Sequence, residues 1–314
     1  MTQIALYLFS ALLRTWRDCL RSSMSVVVCL TAQFVTNAAV GDSGSQVEYT
    51  NHDGAMYGNL PNCIQAMQSF TIAESPQKPA LLLPGNTLSI LSWNVQKGAD
   101  EGWLADLKRL GTGRQLVLLQ EALLTPKMHD TQTGQLFWSF APGYSTEAFR
   151  SGLLMFSGVA PDIVCRLQIL EPWLGSPKAT GAALFAIPGR AHGLLVVNLH
   201  AVNFSFGLSD FERQLTQINQ LLRAVNGPAV VVGDFNTWRN GRLKKMKKLM
   251  SGAGLREVSF PVDKRVRFFG LPLDYIWARG LRRESSFTEA VMTSDHNPLM
   301  ATFRLDGRQT NATK

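Results

Sequence analysis

Six short polar clusters in this chain each sit at the end of an apolar, strand-like run. They are SILSWN ending at Asn94, LVLLQE at Glu121, LLVVNLH at His200, AVVVGDFN at Asp234 and Asn236, LPLDYIW at Asp274, and TSDHNPLMATF at Asp295 and His296. Runs of this kind read as buried strands. A buried strand has no use for carboxylates, imidazoles and amides at its end unless something there engages them. Paired strands bring their ends together, so the fold must gather these groups at one edge. The set of acids, histidines and asparagines is what metal-assisted attack of water on a phosphate ester requires.

The rest of the pattern places these runs in layers. Strands are expected over residues 87–94, 115–120, 151–157, 163–169, 182–187, 193–200, 229–232, 273–277 and 298–304, with a hairpin turn at Pro188 to Arg190. Amphipathic spacing predicts helices over 101–110, from Phe211 to Val225 up to the Asn226-Gly227-Pro228 stop, and over 241–250. Hairpin-like strand groups with few helices favour a mixed-sheet sandwich with helices outside. Periodicity alone leaves other α/β layerings open.

SWNVQKG, LLQE, NLHA, GDFNTW, LDYIW and SDHNP follow one another in the order found in the endonuclease/exonuclease/phosphatase superfamily, whose fold is typified by deoxyribonuclease I. VVNLHAVNFSFG with GDFNTW and SDHNPLMATF is similar to a small bacterial branch, the YafD-like proteins. The resemblance covers roughly Thr87 to Phe303. It implies an α/β (α+β) four-layer sandwich, with two mixed β-sheets face to face and helices on the outer faces.

It also implies roles. Glu121 is then the principal ligand of Mg²⁺ or Mn²⁺, with Asn94 beside it and Asp295 opposite; a hard cation takes such oxygen donors and keeps several waters. Asp234 orients or deprotonates the attacking water, Asn236 donates to a phosphoryl oxygen, and His296, its ring held by Asp274, stabilises developing charge. His200 is expected to protonate the leaving alkoxide, a role suited to a pKa near neutrality, with Asn198 supporting. A histidine in this motif argues against an abasic-site repair enzyme, which carries tyrosine there. Many relatives have an acid or asparagine where this chain has Gln96, so a single metal is expected rather than two. Taken one at a time, Glu121 also reads as a helix-start acid, Asp234 as a turn residue and Asp295-His296 as a cap.

Charge distribution bears on the substrate. Of the formal +8, residues 239–283 carry thirteen Lys or Arg and three acids, a net +10, and the rest of the chain sums to −2. This segment suggests an anionic partner beside the site. Lys244, Lys245, Arg265 and Arg267 are the candidate contacts, and nucleic acid is favoured over anionic phospholipid. The alternative is a solvated amphipathic helix, since Leu243, Met246 and Leu249 recur beneath the lysines. Phe204, Phe206, Phe268 and Phe269 are candidates for stacking or lipid contact, with core packing the default. The expected activity is therefore a divalent-metal-dependent phosphodiesterase acting on nucleic acid. Its alternatives are a phospholipid or sphingomyelin phosphodiesterase, and a non-catalytic binding module on the same fold. No protein partner is implied.

The chain divides into residues 1–40, a lead-in over 41–86 with little regular structure expected, a catalytic domain over 87–305 and a tail over 306–314. Arginines, an apolar run from Met24 to Val40 and a small-residue end read as a signal peptide, with export slightly favoured. A membrane anchor and an untargeted cytoplasmic extension are the alternatives. Four cysteines show no metal spacing; Cys63 and Cys165 are free to pair, though nothing in the sequence requires it.

Overall fold

In chain order the strands are β1 (Ala55–Tyr57), β2 (Thr87–Asn94), β3 (Leu116–Leu123), β4 (Phe137–Ser145), β5 (Arg150–Ser157), β6 (Ile163–Leu170), β7 (Pro177–Phe185) and β8 (Leu194–His200). There follow β9 (Ala229–Asp234), β10 (Arg256–Glu257), β11 (Arg267–Phe268), β12 (Leu271–Pro272), β13 (Asp274–Arg279), β14 (Leu281–Thr288) and β15 (Leu299–Leu305). The helices are α1 (Leu60–Ser69), α2 (Trp103–Gly111), α3 (Ser209–Ala224) and α4 (Asn240–Gly252). This computed structural model describes residues 49–71, 81–82, 85–124, 134–172, 175–203, 205 and 207–306. All lie within the unit Glu48–Lys314. The expectations for residues 1–40, for the tail beyond 306 and for Phe204 and Phe206 fall outside the described residues. No helix among those residues is long and apolar enough to cross a membrane.

A six-stranded sheet runs β14-β15-β2-β3-β5-β4, and a seven-stranded sheet runs β1-β6-β7-β8-β9-β13-β10. Both are mixed: β2 pairs parallel with β3 and β8 parallel with β9, while β15 with β2 and β13 with β9 are antiparallel. Alternation along the strands builds the layers. In β9, Val230 and Val232 join Leu88, Ile90, Leu116 and Leu118 between the sheets. Ala229 and Val231 face outward onto Phe211, Leu215 and Ile218 of α3 and Met246 of α4. A strand buried on both faces reads as a continuous apolar run. On the other side, Leu107 and Leu110 of α2 pack on Leu91, Trp93 and Val117 of the six-stranded sheet. The result is the four-layer sandwich expected from the motifs.

The lead-in differs from its expectation. Residues 55–57 form an edge strand parallel to β6, and Leu60–Ser69 is a helix whose N-cap Asn59 accepts from Asn62 N. A disulfide between Cys63 and Cys165 ties α1 to β6, both sulfurs buried and the Cα atoms 5.9 Å apart. The helix escapes pattern reading because it is short and buries only Cys63 and Met67. Strands β4 and β14 were likewise not expected; β14 is an edge strand whose LRRESS stretch leaves most side chains in water.

Candidate active site

Adjacent strand ends do gather the motif residues. The β9–β13 register sets Asp234 opposite Asp274, and the β8–β9 register sets His200 opposite Asp234. From the facing sheet, β2 contributes Asn94 and β3 contributes Glu121. The loop before β15 contributes Asp295 and His296.

Asp234 is the centre. Its Oδ1 accepts from the backbone N of Asn236 at 2.8 Å, and its Oδ2 accepts from Asn94 Nδ2 at 3.3 Å. The same Oδ2 stands 3.7 Å from His200 Nε2 and 3.9 Å from His296 Nε2. Burial pushes its pKa above the ordinary carboxylate value, against the pull of His296. A base so raised accepts a proton more readily.

The two histidines are driven apart. His296 Nδ1 lies 2.7 Å from Asp274 Oδ2. Burial works against its charged form, but Asp274, then Asp234 and Asp295, raise its pKa to about 10. Trp93 Nε1 holds the His296 carbonyl at 2.9 Å, and Ser294 Oγ donates to Asn94 O while accepting from His296 N. His200 goes the other way: burial and then the Lys178 ammonium lower it to about 4, against Asp234 and Glu121. Lys178 Nζ stands 3.1 Å from His200 Nε2, and a ring nitrogen that accepts from an ammonium carries no proton of its own. This corrects the expectation that His200 titrates near neutrality.

Glu121 lies 3.8 Å from His200 Nε2 and pairs with Lys97 at 3.1 Å. Burial raises its pKa, but His200, Lys97 and Lys178 outweigh this and hold it at about 2. The described non-glycine residues with positive φ are Asn86, Gln96, Lys97, Glu121, Asn236 and Phe269, and four of these six belong to this site. At Glu121, φ is 51° and the β3–β5 register shifts between Leu119 and Ala122. The bulge turns the carboxylate off the strand into the cleft, a conformation L-residues adopt only under surrounding constraint.

Glu121, Asp234, Asp295, Asn236, His200 and His296 all line one cleft of about 600 Å³. Four carboxylates line it, Glu121, Glu171, Asp234 and Asp295, and hard-oxygen donors of this kind suit Mg²⁺ or Mn²⁺. Asn94 lies just beneath, its Oδ1 accepting from Gln96 N. Gln96 itself accepts from Asp295 N, so it braces the loop that carries a candidate ligand. Asp234, Asp274 and His296 also lie within 4.8 Å of one another. That trio fits a cation poorly, because Asp274 occupies His296 Nδ1 and keeps the ring charged.

Other expected residues fall elsewhere. Asn198 is buried between the sheets, its Nδ2 donating to Leu119 O and its Oδ1 accepting from Gln120 Nε2. Asn236 Nδ2 donates to Ala201 O. Lys244, Lys245, Arg265 and Arg267, expected as substrate contacts, do not line the cleft. Arg265 is 9% exposed and bound to Asp263, Glu257 and the Asp274 carbonyl. Lys245 pairs with Glu212, Lys247 with Glu257 and Arg267 with Asp263. Arg239, Arg242, Arg279 and Arg283 hold backbone carbonyls. Besides His296, the cations that line the cleft are Lys97, which lies within SWNVQKG without being one of its expected site residues, and Lys178, which lies outside the motifs.

The endonuclease/exonuclease/phosphatase family pattern matches residues 91–296. A UPF0294 protein of Vibrio cholerae serotype O1 is 38% identical over 235 residues, 74% of this chain and 83% of the relative. One from Yersinia pestis is 38% identical over 219 residues, 69% and 84% of the two chains. Among solved structures, an endonuclease/exonuclease/phosphatase from Beutenbergia cavernae superposes with a TM-score of 0.53 at 15% identity, covering 71% of this chain and 72% of that one. One from Bacteroides vulgatus gives 0.52 at 17%, covering 70% and 99%. At such identities the superpositions speak to the fold alone.

Proposed function

Because the chain belongs to the endonuclease/exonuclease/phosphatase family, in its UPF0294, YafD-like branch, we propose that it hydrolyses a phosphodiester by in-line attack of water, assisted by Mg²⁺ or Mn²⁺. The carrying observation is Asp234, a buried carboxylate of raised pKa set between a charged and an uncharged imidazole at the cleft wall. Glu121 and Asp295, with Asn94 behind them, would hold the cation, which supplies Lewis-acid polarisation of the phosphoryl group when bound.

Asp234 takes the proton of the attacking water. His296, kept charged by Asp274, faces the negative charge that builds on the phosphoryl oxygens, and the amide of Asn236 adds a donor there. The P–O bond to the leaving group breaks, and that oxygen takes its proton from the Lys178–His200 pair. This keeps the leaving-group role expected of His200 but gives the mobile proton to the ammonium it accepts from. Nucleic acid and phospholipid headgroups both offer this chemistry.

The test uses full-length protein with a bis-aryl phosphodiester, plasmid DNA and sphingomyelin, in Mg²⁺, Mn²⁺ or EDTA. Metal-dependent hydrolysis that falls by about a hundredfold or more in Glu121→Ala and Asp234→Ala is the expected result. Absence of hydrolysis by the parent under every metal would replace this reading with a non-catalytic module.

A further inference from the structure

The geometry points to a substrate with one phosphodiester and an uncharged planar group, aryl or nucleobase, lying against Tyr144, rather than a polyanionic strand. The inference rests on the phosphoesterase reading and specifies what that site accepts.

Charge placement is the first ground. A protein that binds a nucleic-acid strand neutralises successive phosphates with Lys and Arg along its track. Here the described cleft carries two lysines, both at its catalytic end: Lys97 against Glu121 and Lys178 against His200. Beyond them the wall has no basic residue: Gly143, Tyr144, Gly152 and Pro177 are uncharged, and Glu171 adds a carboxylate that accepts from Ser176 Oγ and Asn203 N. None of the thirteen basic residues over 239–283 lines it, and eight of them are held by carboxylates or carbonyls of the chain. The lysines can therefore serve one phosphate, and to either side the wall offers a second phosphate no cation.

Shape is the second. About 600 Å³ is the size of a site for a small molecule, roughly 300–1,000 Å³. Tyr144 stands at the end of β4, 45% exposed, although large hydrophobic side chains on this sheet are otherwise mostly buried. Its ring rests on Phe149 across the β4–β5 turn, centroids 6.0 Å apart, which fixes its orientation. A phenol ring so supported at the edge of a phosphate site presents a flat face to a planar group and tolerates any base or aryl ring.

The experiment varies the group that does not leave. Full-length parent, Tyr144→Ala and Tyr144→Phe are assayed with Mg²⁺ or Mn²⁺ on p-nitrophenyl phosphodiesters whose second ester is methyl, phenyl or thymidine, and on a single-stranded oligonucleotide. Calorimetric binding of phenyl phosphate and methyl phosphate is measured alongside. The parent is expected to prefer the phenyl and thymidine esters over the methyl ester by about tenfold or more in kcat/KM, a preference that Tyr144→Ala erases and Tyr144→Phe retains. Equal responses of phenyl and thymidine would make the shared feature planarity; a thymidine-only response would assign the site to nucleotides. Hydrolysis without discrimination at Tyr144, or an oligonucleotide preferred over the thymidine ester, overturns the inference and leaves the phosphodiesterase standing. Absence of turnover with phenyl phosphate still bound more tightly than methyl phosphate in a Tyr144-dependent manner overturns the activity and leaves the inference standing.

Discussion

A carboxylate that holds one imidazole charged and an ammonium that holds another neutral make this site testable one residue at a time. In EDTA-treated protein, the His296 ring is expected to lose its proton near pH 10 and the His200 ring to gain one near pH 4, each read as an NMR titration. In Asp274→Asn the His296 midpoint moves down; an unchanged midpoint would show that Asp274 is not its cause. The sign for stability follows. The folded value of His296 exceeds its ordinary 6.5, so its contribution is complete below pH 6.5 and is lost as the pH rises through about 10. These residues were legible because each motif member is a polar group stranded at the end of an apolar run. Lys97 and Lys178 were not: Lys97 owes its place to a left-handed turn after Val95, and Lys178 to the pairing of β7 with β8, neither of which leaves a periodic mark.

Among the elements, α4 is where sequence and structure diverge most. Its lysines read as a binding face, and the helix exists with nearly the expected bounds, yet it lies in the outer layer on the seven-stranded sheet. Its first turn instead supplies Arg242, fully buried between Phe211 and Trp238, whose guanidinium donates to the carbonyls of Val202, Asn203 and Asn236. One side chain thus ties the loop that follows His200 at the end of β8 to the loop after β9 that carries Asn236. Charge composition could not separate an arginine that faces water from one that organises carbonyls. Arg242→Met is expected to lower unfolding free energy by about 3 kcal/mol in urea titration, because three carbonyls lose a charged donor. A change below about 1 kcal/mol would mean that the loops hold themselves.

For the whole molecule, the sandwich was legible because buried strands announce themselves, whereas the lead-in that closes one side did not. Its helix is held by Cys63–Cys165, which links positions 102 residues apart. Reduction, or Cys63→Ala, is expected to lower stability by about 2–4 kcal/mol, measured by chemical denaturation with and without dithiothreitol. The sulfurs sit in the outer layer with α3 and α4, not at the cleft wall, so turnover per folded molecule should persist. The closed loop takes in β2, β3, β4 and β5, and with them Asn94 and Glu121. A tension applied to the chain ahead of Cys63 therefore crosses the sulfur bridge into β6 and never runs along β2 or β3. The covalent path from the preceding segment thus bypasses the strands that present the carboxylate and amide oxygens, which are held in place by their sheet partners β15 and β5.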